Sequence, residues 1–515
     1  MMSWFAKMTN RAPATETGTP KPRRGLRINY ALNVAGTLVP LAISLVVVPI
    51  YIVHIGAARY GILSLVWILL GYFGFLDFGL SRASANALSR LGNAGPEERV
   101  PVLVTSFYLN IVLGAFGSLV IYFAGRIMIS HMATMSGSLA VETVQAMPWI
   151  ACMLPLALIS GVGTGAIESR ERFGVSNLFT AFGGALGQIL PISCALLFGP
   201  SLAVVVPAAL LARVTSTVLI LAYVVRTEHP VDPRRFDRRQ VRQLLGYGAW
   251  VSVTSLISPL LETFDQMLVG TLLGPAAIAH YTVPMNMATR SQIVATALAK
   301  TLFPRLSRLE REHADQLTTR AIVTLAYAYA ALCAPAIILA GPFLGLWIGG
   351  NFAAAAAPVA AILLVGAWAN GVAFIPYTLL QSQGRPDLTA KIHACEVLPF
   401  LGSVWLLTTW FGLPGAAFAW TLRTSLDLLV LLRVSRLLRA PLLAALPSAI
   451  VLLGCCLCAR VVQPTGLYAV AMACVAGGTV LVCALVWDGS MRTIVGHMLL
   501  RVRSATAAAF QSNVS

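Results

Sequence analysis

Fourteen long apolar runs, parted by short polar turns, recur along the chain: Leu32 to Val53, Tyr60 to Leu80, Val102 to Gly125, Met147 to Ile167, Gly174 to Phe198, Leu202 to Val225, Leu245 to Leu273, Ala277 to Phe303, Ala321 to Trp347, Ala353 to Leu380, Thr389 to Phe411, Pro414 to Leu432, Leu442 to Val461 and Leu467 to Trp487. A helix crossing the hydrocarbon core of a bilayer takes roughly 20 mostly apolar residues. Each run is continuous, unlike the alternating ten-residue strands of a membrane β-barrel. The pattern predicts an all-α membrane protein with about fourteen transmembrane helices.

Composition adds that no large soluble domain fits, because 58% of the 515 residues are hydrophobic and only 11% charged, against about 25% charged in soluble domains. The net charge of +17 would suggest a nucleic-acid partner in a soluble chain. Position changes that reading. With a cytoplasmic N-terminus, 29 of the 36 basic residues fall in cytoplasmic connections, Lys391 at the mouth of the eleventh run counted among them, and only Arg59, Arg126 and Arg460 fall outside. Such a bias sets orientation, so both termini are expected in the cytoplasm and nucleic acid is not expected as a partner.

The first 27 residues lack the apolar core of a signal peptide and read as a basic tail. The last segment, with Arg492, Arg501 and Arg503 beside Ile494, Met498 and Leu499, suits an amphipathic anchor on the inner surface. All nine cysteines lie within the apolar runs, so neither disulfides nor a zinc site is expected. No Walker A, HExxH or GxSxG sequence occurs, which leaves ATP-driven pumping within this chain and hydrolase chemistry without support. No cofactor is expected beyond possible Na+ or H+ coupling.

Compared with itself at a shift of 210 to 218 residues, the chain repeats. Ile55-Gly56-Ala57-Ala58 resembles Leu273-Gly274-Pro275-Ala276-Ala277, and Glu168-Ser169-Arg170-Glu171-Arg172 aligns with Gln381-Ser382-Gln383-Gly384-Arg385. Phe198-Gly199 and Phe411-Gly412 both open spans that place two arginines thirteen apart, Arg213 and Arg226 in one, Arg423 and Arg436 in the other. A shift of six spans preserves topology, as in transporters with parallel repeats. The expected organisation is a tail over 1–27, an N-lobe over 28–225, a basic linker over 226–244, a C-lobe over 245–439, two further spans over 440–487 and a tail over 488–515.

These residues resemble the oligosaccharide-lipid flippases, or polysaccharide exporters, of the superfamily that also holds the multidrug and toxic compound extrusion transporters. The N-lobe carries Pro49-Ile50-Tyr51, Gly56, Arg59-Tyr60-Gly61 and Phe75-Leu76-Asp77-Phe78-Gly79-Leu80. The C-lobe carries Asp265, Gly270, Leu273-Gly274, Tyr281 and Phe303-Pro304-Arg305-Leu306-Ser307. The resemblance spans about residues 25 to 440. It implies a lumen between two six-helix lobes that opens alternately to each side and passes a polyprenyl-diphosphate-linked oligosaccharide outward across a bacterial inner membrane. Polysaccharide polymerase and chain-length machinery would be partners in such a pathway.

Four basic residues remain within the spans, Arg213, Arg290 and Arg423 near mid-span and Lys300 near an end. A charge at the bilayer centre costs at least about 2.5 kcal/mol, so it faces a cavity or a partner. The first three are candidates to hold a diphosphate, because guanidinium presents a fork of donors that matches phosphate oxygens. Internal pairing is the alternative. Asp427 follows Arg423 by one helical turn, and Glu262, Asp265 and Glu396 are the other carboxylates available for pairing or for ion coupling. Asp77 and Arg82 suit a gate or helix cap. Trp67, Tyr72, Trp368 and Tyr377 could stack on sugar rings or simply pack. Eight prolines inside spans mark hinges or lumen-lining backbone.

A cation-coupled multidrug exporter of the same superfamily is the second reading, although spans 1 and 10 lack the carboxylates it would use. A membrane-embedded glycan polymerase or ligase would need a large outer loop, and the longest, from Arg126 to Ala146, offers one Glu and one His. A non-transporting scaffold for glycan assembly is a further reading.

Overall fold

The computed structural model describes residues 23–72, 80–92, 94–131, 137–228, 236–237, 239–241, 261, 263–489 and 492, with the backbone alone for 23–38, 69, 71, 72 and 82. The described residues are almost entirely helical and contain no strand. The helices are α1 Arg23–Ile55, α2 Ala57–Tyr72, α3 Leu80–Leu91, α4 Pro96–His131, α5 Gly137–Glu168, α6 Phe173–Phe198 and α7 Leu202–Glu228. They continue with α8 over 263–273, α9 Pro275–Ser291, α10 Ile293–Leu306, α11 Arg311–Trp347, α12 Gly350–Ser382, α13 Pro386–Phe411, α14 Leu413–Val434, α15 Arg439–Val462 and α16 Gly466–Trp487.

Twelve of the fourteen apolar runs lie wholly within the described residues and fall on helices, the eighth on two, α9 and α10, which meet at Gln292; the second run is described over 60–72 and at Leu80, and the seventh at 261 and over 263–273. The helices outlast the runs. The 37 residues of α11 give a rod of about 55 Å, well beyond a hydrocarbon core of about 30 Å. Hydropathy marks only the lipid-embedded part, while the helical hydrogen bonds continue into the interface. For the same reason the outer loop expected from Arg126 to Ala146 is mostly helix, since α4 runs to His131 and α5 starts at Gly137.

The connections alternate between two ends. At the turn end, helices join through Gly56, Gly199, Gly274, Gly349, Gly412 and the Gln463–Gly466 turn. At the basic end lie the connections over 92–95, 169–172, 307–310, 383–385 and 435–438, with Arg99, Arg170, Arg172, Arg308, Arg385 and Arg436 on or beside them. Repeat-equivalent positions share the left-handed backbone: φ is +84° at Gly56 and +91° at Gly274, +114° at Gly199 and +63° at Gly412, +57° at Glu171 and +72° at Gly384. Positive φ thus recurs at equivalent connections of the two six-span lobes, which α15 and α16 follow.

Prolines inside helices each free the carbonyl four residues earlier, which hydrocarbon cannot hydrogen-bond. Pro155 frees Ala151, whose carbonyl accepts from Ser118 Oγ of α4 at 2.7 Å. Pro49 frees Leu45, whose carbonyl accepts from Trp347 Nε1 of α11 at 2.6 Å. The second bond crosses from one lobe to the other.

The largest apolar core gathers α8 to α16, and α15 and α16 lean on α11: Tyr327 Oη donates to the Ala444 carbonyl at 2.7 Å. A second core joins the turn-end halves of α1, α2, α5 and α7 to Ala279 and Val283 of α9, Leu344 of α11 and Phe352 and Ala356 of α12. A third, at the basic end, includes Leu88, Leu103, Val162, Ile167 and Val224 and holds N-lobe residues alone. Among the described residues, apolar packing thus closes the lobes at the turn end and leaves them separate at the basic end. Gly61 makes the closure possible, because a Cβ there would sit 1.9 Å from the Pro275 carbonyl oxygen.

Gly61→Ala is expected to push α2 from α9, at a cost of about 1–3 kcal/mol. A cysteine placed at Ile278, buried in this contact, should then react severalfold faster with a small maleimide than in the Gly61 background. Equal labelling rates would contradict the closure.

Candidate functional site at the seam between the lobes

The seam is built on one turn of α1. Pro49 leaves the Leu45 carbonyl open to Trp347, and the preceding residue, Ser44, is buried with its Oγ donating to the Leu41 carbonyl at 2.7 Å. That hydroxyl then accepts from Arg290 Nη1 of α9 at 2.8 Å. Arg290 lies on an exposed stripe of α9 and α10 with Asn286, Thr289, Ile293, Ala297 and Lys300. Polar groups and a guanidinium exposed along a membrane helix need water or a polar ligand, which makes this stripe the candidate face for a cargo path. Among the described residues Arg290 has no carboxylate partner.

Arg423 is placed otherwise. Its Nε lies 3.4 Å from Glu396 Oε2 of α13, its Nη1 donates to the Leu261 carbonyl at 3.0 Å, and its guanidinium sits 5.4 Å from the Phe400 ring centroid. The helical-turn pairing with Asp427 is not the ion pair that forms: Asp427 Oδ1 lies 3.8 Å from His393 Nε2, and His393 stacks on Tyr377 with centroids 5.9 Å apart. Neighbouring helices reach these groups more directly than the same helix does. Asp265 is fully buried, taking Tyr281 Oη at 2.5 Å and the Gln266 amide at 2.8 Å. Glu396, Arg423 and Asp427 thus form one cluster inside the C-lobe.

Arg213 is exposed on α7, with no hydrogen bond or ion pair from its side chain among the described residues. Asp77, Glu262 and the side chain of Arg82 lie outside the described residues, as does the ring of Tyr72. Two of the other aromatics are packing groups: Trp368 is buried and donates to the Ala326 carbonyl at 2.8 Å, and Trp67 packs edge-on against Tyr51 and Tyr60.

Two ion clusters went unread in the sequence. At the basic end Arg99 and Glu228, 0% and 1% exposed, pair at 2.9 Å through both carboxylate oxygens. Arg99 also donates to the Leu88 and Gly92 carbonyls and to Ser169 Oγ, each at 2.9 Å, and Arg170 grips Glu228 at 2.5 and 2.7 Å. These hydrogen bonds to Glu228 raise the pKa of Arg170, which sits in the turn after α5. The cluster pins the ends of α3, α4, α5 and α7 together where the chain leaves the N-lobe. At the turn end Arg59 forks onto Glu142 at 2.7 and 2.8 Å, and Glu142 also accepts from the Leu202 amide at the N-terminus of α7, where a negative charge is favoured. The signal for both was an acid and a base counted only as loop charges. Their separations, 129 and 83 residues, left no local spacing to read.

Two repeated helical lobes, closed at one end and lined at the seam by polar groups, define a membrane-transporter architecture. The family model for polysaccharide biosynthesis proteins matches residues 55–357, more than half of the chain, and the chain belongs to that family. A proposed O-antigen transporter of Shigella flexneri is 26% identical over 407 residues, covering 78% of this chain and 96% of the relative. Among solved structures, the lipid II flippase MurJ in an inward closed conformation aligns with a TM-score of 0.72 at 11% identity, over 91% of this chain and 100% of that one. A multidrug resistance MATE transporter of the MOP superfamily, inward-facing, aligns with a TM-score of 0.63 at 16% identity, over 80% and 97%. The fold is that of the MOP superfamily, and these relatives are transporters and flippases rather than enzymes.

Breaking a buried pair by removing one partner costs about 3–5 kcal/mol. Arg99→Ala is therefore expected to lower the unfolding temperature of the purified protein much more than Arg170→Ala, whose side chain is 24% exposed. Equal effects in a thermal melt would show that the buried pair does not hold this end together.

Proposed function

We propose that the protein is a flippase that moves polyprenyl-diphosphate-linked oligosaccharide repeat units across a bacterial inner membrane by alternating access, in surface polysaccharide assembly. The observation that carries this reading is Arg290. It is a guanidinium exposed on the polar stripe of α9 and α10, without a carboxylate, held across the seam by a neutral hydroxyl. A phosphate oxygen is a stronger acceptor than a serine hydroxyl, because hydrogen bonds between charged partners are roughly twice as strong as neutral ones. A cationic drug would call for a carboxylate at this place.

Basic residues gather at one end of the bundle, and loop Lys/Arg bias puts that end and both termini in the cytoplasm. A cleft between lobes over 28–225 and 245–439, joined by the 226–244 linker, then opens inward, toward cargo. Asp77 and Arg82, at the basic end of the second span, act as gate or cap. Arg213 is a second contact for the cargo's charge, and Arg423, engaged with Glu396, has a smaller part. Asp265, Glu396 and Asp427, with Glu262 nearby in sequence, are the groups through which Na+ or H+ coupling would run. Polymerase and chain-length machinery would take the unit once it has crossed.

Arg290→Ala is expected to abolish surface polysaccharide when it replaces the wild-type gene, with protein level and unfolding temperature unchanged, and Arg290→Lys to restore export in part. Normal polysaccharide in the alanine variant, measured on whole cells, would remove Arg290 from the cargo path.

A further inference from the structure

At the basic end, the turn from α14 to α15 carries Arg433, Arg436 and Arg439. Together with Thr319 of α11, Leu438 and Pro441 they line a cavity of about 570 Å³, inside the roughly 300–1,000 Å³ of small-ligand sites. All three arginines are exposed. Among the described residues none of the three makes an ion pair or a side-chain hydrogen bond. Three like charges around one hollow repel one another unless an anion sits between them.

The backbone supplies a separate observation. Arg436 has φ +64° at the end of α14, where the Leu437 amide donates to the Leu432 carbonyl and the Ser435 amide to the Leu431 carbonyl, each at 2.9 Å. This helix-ending geometry favours glycine, and the turn before α13 uses one, Gly384, at φ +72°. Here an arginine occupies the strained place, and such outliers cluster where a ligand is held. The turn also sits at the right depth. The apolar body of α14 ends at Leu432 and that of α15 begins at Pro441, so the hollow lies where the helices leave hydrocarbon, at the level of lipid phosphates.

We propose that this niche binds the phosphate of an anionic membrane lipid, gripped by guanidinium forks as basic pockets between membrane helices grip lipid headgroups. It lies on α11, α14 and α15, apart from Arg290 on α9, and does not depend on the identity of the cargo. Two lipids offer the same chemistry: an anionic phospholipid of the bilayer, and a polyprenyl diphosphate.

Native mass spectrometry of the purified full-length protein, with phosphatidylglycerol, phosphatidylcholine and undecaprenyl diphosphate as probes, tests the niche. Arg436→Gly relieves the backbone, so its unfolding temperature should equal or exceed that of the wild type. Losing one charge-assisted contact should still weaken anionic-lipid binding by about tenfold. Arg433→Gln with Arg439→Gln should weaken it further and leave phosphatidylcholine unchanged. A loss confined to phosphatidylglycerol assigns the niche to bilayer phospholipid, and one confined to undecaprenyl diphosphate assigns it to the isoprenoid carrier; either supports the proposal. Unchanged binding of both anionic lipids, or an equal loss of phosphatidylcholine, would overturn it.

Discussion

The carbonyl of Leu45 has no partner within its own helix, because Pro49 removes the amide that would have reached it. In hydrocarbon that vacancy must be filled from elsewhere, and Trp347 of the other lobe fills it at 2.6 Å. One backbone group thereby ties α1 to α11, sets the depth at which the lobes meet and brings Ser44 to Arg290. The close approach of Gly61 to Pro275 completes the closure nearer the turn end. A proline that weakens a helix locally is in this way a reason for the lobes to meet where they do.

Charge is distributed on the opposite principle. Where rigidity is needed, acids and bases are matched: Arg99 and Arg170 on Glu228 at the basic end, Arg59 on Glu142 at the turn end. All of these tie helices of the N-lobe to one another. The seam instead relies on contacts to neutral acceptors, a serine hydroxyl and a carbonyl. A typical hydrogen bond contributes only about 0.5–1.5 kcal/mol net, so these can be exchanged without dismantling either lobe.

The helices were legible because the spacing of apolar runs follows from bilayer thickness, and the turns because left-handed positions select glycine. The repeat was legible for the same reason: Gly56 with Gly274, and Gly199 with Gly412, share a positive φ as well as a sequence. Partners were harder to read. The spacing of Arg423 and Asp427 suggested a pair along one helix, yet Glu396 on α13 supplies the contact, because packing brings an adjacent helix within reach. Arg99 and Glu228 carried no local signal at a separation of 129 residues. Pro49 announced a free carbonyl without naming the tryptophan, 302 residues away, that would find it.

On the proposed reading, the contact between Arg290 and Ser44 explains how cargo would move the lobes. A ligand shifts a conformational equilibrium only through its different affinity for the two states. Arg290 bonds a neutral hydroxyl across the seam. A diphosphate entering the cleft offers the same guanidinium a charged acceptor, and charge-assisted bonds are the stronger kind. Exchange of one acceptor for the other removes a contact that holds the closed seam while adding one to the cargo. Arg423, already matched by Glu396 and the Leu261 carbonyl, has no such exchange to make. The difference between the two arginines lies in what each already holds, and that places the moving charge on α9 rather than α14.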